Sequence, residues 1–273
     1  MAPISKAEVH LVCASDDIKD EGLLAYYASL LTTKEQQHHD ALRFDHGRRQ
    51  YLITRALVRW VLSINSGAPP QDFVFATNRW GKPTISKPDG IALAFNVSHT
   101  RGLVTCAVAL ADALGVDVEL PSDRGRTFEI AQRFFSAAEI EALRSLPPEV
   151  RDDRFFDYWT LKEAYVKARG MGLSLPFDQC TIDLSDPSNP AVAVAPEFDD
   201  GYGWQFQLAT LSTGHRLAAA VRLPAYGRTY KFRSHTVVPF ASPQMGPTGP
   251  IDRRSAAPPT RTFLSTANAD DVE

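Results

Sequence analysis

Apolar positions along the first 223 residues fall into two repeating patterns. Short runs that are rich in β-branched and aromatic residues, or that alternate apolar with polar residues, are typical of strands. They occur at Val9–Ala14, Phe73–Phe75, Phe95–His99, Leu103–Leu110, Gly115–Leu120, Thr181–Leu184, Tyr202–Leu211 and Arg216–Leu223. Apolar residues three and four positions apart predict helices. These cover Gly22–Leu31, Tyr51–Leu62, Phe128–Phe135 and Asp153–Arg169, with further helices beginning at Thr32 and Ser136, each followed three residues later by a glutamate.

This mixture predicts an α+β protein. Strands and helices recur on a similar scale in residues 1–112 and 113–223, which we expect to form an N-terminal and a C-terminal lobe. The last 50 residues, 224–273, contain seven prolines and many Ser, Thr and Ala residues. Because too few apolar side chains are available there to offset the cost of ordering the chain, we expect a mostly disordered tail, apart from Tyr230–Phe232.

Composition narrows the class of protein. The net charge of -3 and the pI near 6.2 argue against nucleic acid as the main partner. The three cysteines, Cys13, Cys106 and Cys180, are far apart and form no CxxC pattern, so neither a disulfide framework nor a zinc site is predicted. No apolar run resembles a signal peptide or could span a bilayer, so we expect a cytoplasmic protein without a membrane partner.

Two carboxylates share one face of the predicted strand Gly115–Glu119. Residues two apart on a strand point to the same side, so Asp117 and Glu119 project together while Val116 and Val118 face a core. Two adjacent carboxylates repel unless a cation lies between them, and hard oxygen ligands suit Mg²⁺. Taken alone, the pattern is weak, and an exposed acidic face of the strand explains it better.

The predicted helix Trp159–Lys167 places a second carboxylate and a lysine on one face. Glu163 and Lys167 are four residues apart and are therefore neighbours. By itself this pair predicts no more than a surface ion pair on an amphipathic helix. Taken singly, the remaining candidates also have ordinary structural explanations, as solvated charges, turn residues or structural hydrogen-bonding groups. They are Arg49, Arg55, Lys82, Pro83, Ser98 and His99.

Six short strings, taken in order, resemble the 4′-phosphopantetheinyl transferases of the Sfp type. They are Trp80–Pro83 (WGKP), Phe95–Thr100 (FNVSHT), Gly115–Glu119 (GVDVE), Arg133–Ser136 (RFFS), Trp159–Lys167 (WTLKEAYVK) and Gly170–Pro176 (GMGLSLP). Their order and spacing agree with the family from about residue 9 to residue 223. Any one string is common, but the whole series is highly specific.

The resemblance implies two similar α/β lobes related by pseudo-two-fold symmetry, with the active site between them. It also implies transfer of the phosphopantetheine group from coenzyme A to a serine of an acyl or peptidyl carrier protein, with release of adenosine 3′,5′-bisphosphate. The cofactor would be Mg²⁺. The carriers would belong to fatty-acid, polyketide or nonribosomal peptide synthesis, and the enzyme would act as a monomer. The carrier would approach between the lobes, near Phe134, Phe135 and Glu139.

By similarity, the family's functional residues map onto three sets. The metal ligands would be Asp117, Glu119 and Glu163. The catalytic residues would be Glu163, as ligand, base or both, together with Lys167 and Asp117. The residues that hold coenzyme A would be Arg49, Arg55, Lys82, Pro83, Ser98, His99 and Lys167, with Lys82 and Pro83 lining the adenine.

Two alternatives remain open from the sequence. One is a non-catalytic carrier-binding scaffold of the same fold, against which the intact acidic residues argue. The other is an unrelated Mg²⁺-dependent phosphohydrolase, which leaves the strings around Ser98 and Lys82 unexplained. The sequence departs from the family pattern in the segment 36–39. Glutamine and histidine stand there in place of the lysine and arginine that are common in the family.

Overall fold

The computed structural model describes residues 1, 3–122, 125–224 and 229–241 and shows an α+β protein. The helices are α1 (Glu21–Ser29), α2 (Thr33–Ala41), α3 (Asp45–Ser66), α4 (Thr127–Phe134), α5 (Ala137–Arg144) and α6 (Pro148–Arg169). The strands are β1 (Glu8–Ser15), β2 (Val74–Thr77), β3 (Pro83–Lys87), β4 (Ala94–Thr100), β5 (Leu103–Ala109), β6 (Leu114–Glu119), β7 (Cys180–Asp183), β8 (Ala191–Val194), β9 (Trp204–Thr210), β10 (Arg216–Arg222) and β11 (Lys231–Thr236).

Two sheets organise these elements. The larger has the strand order β11-β1-β5-β4, in which β11 runs parallel to β1 and the other pairs are antiparallel. The smaller, fully antiparallel sheet has the order β6-β10-β9. The pairs β2–β3 and β7–β8 form separate two-stranded sheets.

The two long helices and the two sheets form four layers, with an apolar cluster in each of the three spaces between them. Both sheets are therefore apolar on both faces. One cluster lies between α3 and the larger sheet and includes Leu57 and Val104. A second lies between α6 and the smaller sheet and includes Leu161 and Ala218. A third, formed by alternate residues of both sheets such as Val116, fills the space between them. The sheets therefore pack face to face, each covered on its outer side by one long helix.

The prediction of a disordered tail exempted Tyr230–Phe232 and needs correction for residues 233–236. Residues 231–236 form β11, an edge strand whose register pairs Glu8 with Lys231 and Cys13 with Thr236. Beyond it, the backbone N–H of Val237 donates to the carbonyl of Cys13. Tyr27 Oη also donates a hydrogen bond to the carbonyl of Pro239 at 2.5 Å. Residues 225–228 and 242–273 of the predicted tail lie outside the described residues.

The two predicted helix starts agree with the structure. Capping boxes are present at Thr32 and Ser136, where each hydroxyl accepts from the backbone N–H of the glutamate three residues later. The three cysteines are buried and free. In the described part of the chain, no helix combines the length and the apolar character needed to span a bilayer.

Candidate functional site

Strand β6 and helix α6 lie unusually close together, and this contact brings the predicted carboxylates to one place. A Cβ atom built on Gly115 would lie 2.0 Å from the carbonyl oxygen of Ala164 and 2.4 Å from the amide nitrogen of Ala168. Only glycine leaves room for that approach. Glu163 and Lys167 each directly precede one of these alanines, so the same contact sets them against β6.

Lys167 is tied to Asp117 and Ser98 by short hydrogen bonds. Its Nζ donates to Asp117 Oδ1 at 2.6 Å and to Ser98 Oγ at 3.0 Å. Ser98 Oγ in turn donates to Asp117 Oδ1 at 2.8 Å. The three side chains come from α6, β6 and β4, so this triangle joins the two sheets to the helix. Ser98 thus contacts the acidic residues themselves, a role the sequence did not indicate.

Strand β4 supports the triangle from both sides. Asn96, Ser98 and Thr100 lie on one face of β4, because they are two residues apart. Asn96 Oδ1 accepts from the backbone N–H of Val116 at 2.9 Å, and Thr100 Oγ1 lies 3.5 Å from Glu119 Oε2. These polar contacts fix β4 against β6, where the two sheets meet.

Two of the acidic residues, Glu119 and Glu163, are costly to ionise in this place. Burial, followed by the charge on Asp117, raises the pKa of Glu119 to about 7. Burial also raises the pKa of Glu163, against the opposing effect of Lys167. Asp117 is 3% exposed. Carboxylates with raised pKa values that gather in a cleft are typical of functional sites.

One cleft of about 700 Å³ contains most of the predicted site residues. The carboxylates Asp117, Glu119 and Glu163 share its wall with Lys167. Of the predicted coenzyme A residues, the structure brings Arg55, Pro83, Ser98 and His99 to this wall. The volume lies within the range of roughly 300–1,000 Å³ that is usual for ligand sites.

The end of the cleft formed by α3 is basic and aromatic. The guanidinium carbon of Arg55 lies 5.0 Å from the centroid of the Tyr51 ring, and the ring of His38 lies 4.8 Å from it. Partial desolvation and the charge of Lys167 lower the pKa of His99. Tyr51 and His38 were missed by the sequence analysis, although Tyr51 precedes Arg55 by four residues and therefore shares its helix face.

A partly buried acid, Glu35, holds this arginine face in place. Glu35 Oε1 lies 3.5 Å from Arg55 Nε, and Glu35 Oε2 accepts from Arg59 Nη2 at 2.6 Å. Arg59 is 0% exposed. Glu35 is also the capping-box residue of α2. Its capping role was readable from the sequence, whereas its pairing with α3 depends on packing between distant segments.

Two predicted coenzyme A residues lie elsewhere. Arg49 is absent from the described residues that line the cleft, and its Nη1 donates to Asp17 Oδ1 at 3.4 Å. Lys82 lines a neighbouring cavity of about 310 Å³, but its Nζ donates to two backbone carbonyls. Burial lowers the pKa of Lys82 to about 8.

Glu139 is not available to meet a carrier protein. Its Oε2 lies 2.8 Å from Lys162 Nζ, and both side chains are 0% exposed. The backbone N–H of Ile182 donates to Glu139 Oε1 at 2.7 Å. Phe135 is also buried, while Phe134 is 40% exposed. A carrier that approaches near this position could therefore not contact the Glu139 side chain itself.

The donors in the cleft suit a magnesium ion, although they are not gathered around a common point. Within the described ranges, no group of three or more His, Cys, Asp or Glu side chains is already arranged to hold a metal. Asp117 Oδ2, however, is buried and has no hydrogen-bond partner among those residues. A cation there would satisfy this oxygen and offset the repulsion between Asp117, Glu119 and Glu163.

Comparison with known proteins gives matches along most of the described chain. The family model described as the 4′-phosphopantetheinyl transferase superfamily matches residues 113–221, and the model described as 4′-phosphopantetheinyl transferase, N-terminal, matches residues 20–111. The 4′-phosphopantetheinyl transferase HetI of Nostoc sp. is 34% identical over 218 residues, which cover 72% of this chain and 90% of that protein. The 4′-phosphopantetheinyl transferase Sfp of Bacillus subtilis is 35% identical over 161 residues, covering 55% of this chain and 70% of that protein.

Among solved structures, a Helicobacter pylori holo-(acyl-carrier-protein) synthase in complex with coenzyme A matches 40% of this chain and 99% of its own. It is 20% identical, with a TM-score of 0.34.

The family models and the relatives define the class of protein, a transferase of the phosphopantetheine group. The chain belongs to the 4′-phosphopantetheinyl transferase family, as the likeness to HetI over nine-tenths of that protein shows. The sequence-based assignment to the Sfp type is confirmed.

Proposed function

We propose that this transferase moves the 4′-phosphopantetheine group of coenzyme A to a serine hydroxyl of an acyl or peptidyl carrier protein. The serine oxygen forms a bond to the phosphorus that bears the pantetheine arm. The bond from that phosphorus to the bridging oxygen breaks, and adenosine 3′,5′-bisphosphate leaves with the electron pair. The serine proton passes to a base of the enzyme.

The observation that carries this proposal is the division of charge along one cleft. Arg55 of α3 and His99 of β4 both line the cleft, where they can bind the phosphates of the nucleotide. The acidic residues and Lys167 lie toward α6. A pyrophosphate placed between these two groups would meet cationic donors on one side and the metal ligands on the other. Phosphoryl transfer depends mainly on such positioning and charge stabilisation.

The metal would be held by Asp117, Glu119 and Glu163. When bound, Mg²⁺ supplies positive charge at the pyrophosphate and so helps the bisphosphate to leave. Lys167 adds a point charge beside it, and its hydrogen bond to Asp117 holds the lysine on the cleft wall.

Glu163 is the best-placed base for the carrier serine. It lines both the main cleft and the smaller cavity beside it. A raised pKa brings a carboxylate closer to the strength that a general base needs near neutral pH.

The proposed enzyme is a monomer, and its two lobes divide between residues 112 and 113.

The alternative function is that of a carrier-binding scaffold that does not catalyse transfer. The acidic wall of the cleft argues against it, because binding a carrier does not require the raised pKa values of Glu119 and Glu163.

The test is the mass of an apo carrier protein after incubation with the enzyme, coenzyme A and Mg²⁺. We expect a gain of one phosphopantetheine group with the wild-type enzyme and none with Glu163→Ala. Glu141→Ala, which removes an exposed carboxylate from α5, is the matched control and should behave as wild type. No mass gain on fatty-acid, polyketide or peptide carriers would favour the scaffold instead.

A further inference from the structure

The turn between β2 and β3 is closed by one side chain. Asn78 Oδ1 accepts from the backbone N–H groups of Trp80 and Lys82, both at 2.9 Å. The backbone N–H of Asn78 also donates to the carbonyl of Lys82 at 3.0 Å. The turn is therefore a fixed unit, although it lies in a short two-stranded sheet away from the main core.

This turn reaches across to the end of α6. Asn78 Nδ2 donates to the carbonyl of Gly170 at 2.9 Å. Lys82 Nζ donates to the carbonyl of Ala168 at 2.8 Å and to that of Leu114, the first residue of β6, at 3.0 Å. The last carbonyls of a helix lack partners within it and carry partial negative charge. An ammonium placed there both satisfies them and is stabilised by them.

The helix side of this contact is shaped to receive the turn. Gly170 has a φ of 64°, the left-handed conformation that ends α6. A Cβ atom at this position would lie 2.9 Å from Lys82 Cδ and 3.3 Å from Asn78 Nδ2. The lysine stem thus lies directly over Gly170, and a side chain at this position would displace it.

We propose that Lys82 and Asn78 are positioning residues that fix α6 against the turn, so that Glu163 and Lys167 stay opposite Gly81 and Pro83. This inference rests on the proposed function. It assigns Lys82 a task other than the adenine contact implied by the family resemblance. Lys167 lies one residue before Ala168, so a shift of the α6 end would move Lys167 away from the cleft wall.

The main alternative is that Lys82 binds the nucleotide with its charge. Two of its three N–H donors are already used by carbonyls of α6 and β6. Asn78 separates the two explanations, because it makes the same contact with α6 but is absent from the described residues lining either cavity. It carries no charge that could attract a phosphate.

The experiment compares Lys82→Met, Asn78→Ala and the double variant with wild type. Steady-state kinetics give kcat and KM for coenzyme A, and titration gives the Kd for adenosine 3′,5′-bisphosphate. Hydrogen exchange across residues 164–172 measures the contact between the turn and the end of α6 independently of enzyme activity. Lys87→Met is the matched control, because Lys87 is an exposed lysine of the same hairpin.

We expect each single variant to lower kcat roughly ten- to hundredfold, the scale of a displacement near 1 Å. The Kd for adenosine 3′,5′-bisphosphate should stay within about twofold of wild type. The double variant should lose less than the product of the single losses, because both changes open one contact. Exchange across residues 164–172 should quicken in all three variants.

The inference is overturned if Lys82→Met weakens binding of adenosine 3′,5′-bisphosphate while Asn78→Ala behaves as wild type. Unchanged exchange across residues 164–172 in both variants would overturn it as well. Failure of the proposed function would look different, since wild-type protein itself would then neither bind the bisphosphate nor modify a carrier. Asn78→Ala lies on an exposed turn and keeps the test open should Lys82→Met fold poorly.

Discussion

Lys167 shows at the residue scale how a charge can serve both stability and chemistry. Its side chain is 30% exposed, whereas the side chain of its partner Asp117 is only 4% exposed. The lysine therefore offsets most of the cost of keeping a carboxylate inside the protein. The same ammonium lies on the wall of the cleft, where it can meet a phosphate. Removing it should affect folding and activity together.

We predict that Lys167→Met lowers the free energy of unfolding by about 1–2 kcal/mol, because it leaves Asp117 buried without its cation. Adding Asp117→Asn should recover most of that loss without recovering transfer activity. Urea unfolding of the single and double variants measures the first effect, and carrier modification the second. Equal stability of wild type and Lys167→Met would contradict the assigned pairing.

At the element scale, the contact between β6 and α6 decides where the acidic residues meet. Alternation along β6 sends Val116 and Val118 into the core between the sheets and leaves Asp117 and Glu119 on the side of α6. The spacing of four residues between Glu163 and Lys167 keeps both on the cleft wall. Gly115 then lets the two elements approach closely.

We predict that Gly115→Ala destabilises the protein by about 1–3 kcal/mol, because the added methyl group would overlap the backbone of α6. Transfer should fall further than stability alone explains, since Glu163 and Lys167 move with the helix. The control for stability is Gly47→Ala in α3, where a Cβ atom meets nothing within 4 Å. Thermal unfolding and initial rates below the transition would measure both effects.

The sequence predicted those parts of the site that depend on local periodicity. The faces of Asp117, Glu119, Glu163 and Lys167 follow from periods of two and of 3.6 residues. The destination of Lys82 could not be read in this way. Its partners are backbone carbonyls at positions 114 and 168, which any residue type would present.

The strands that were missed share a physical reason. Strand β3 (PTISK) and strand β8 (AVAV) are four or five residues long, and β11 (KFRSHT) has few apolar residues. Strand β8 is apolar throughout but only four residues long, and each of the three strands depends on pairing with a neighbour. Pairing between residues 8–13 and 231–236 is invisible to any local reading.

At the scale of the whole molecule, two buried histidines mark the contact between β1 and β11. The ring centroids of His10 and His235 lie 4.9 Å apart. Burial, followed by the charge of its neighbour His10, lowers the pKa of His235 to about 4. The pKa of His10 is lowered too, by burial, with Glu8 opposing and Arg233 adding to the effect. The amino terminus also acts on both rings.

This pair predicts a loss of stability in mild acid. Because the folded state lowers the pKa of His235 from 6.5, the unfolded chain binds the proton more readily. The contribution is complete above about pH 6.5 and declines as the pH falls toward about 4, by roughly 2–3 kcal/mol. Urea unfolding across this range should show a smaller decline for His235→Phe than for wild type. Parallel curves would contradict the prediction.

The pairing of β11 with β1 also sets an order of events during synthesis. Residues 8–109 supply three strands of the larger sheet, but β1 keeps an open edge until residues 231–236 have left the ribosome. An unpaired edge strand invites association with other chains. The nascent chain must therefore carry an unfinished sheet through more than a hundred further residues of translation, and the first strand to emerge is completed by the last one described.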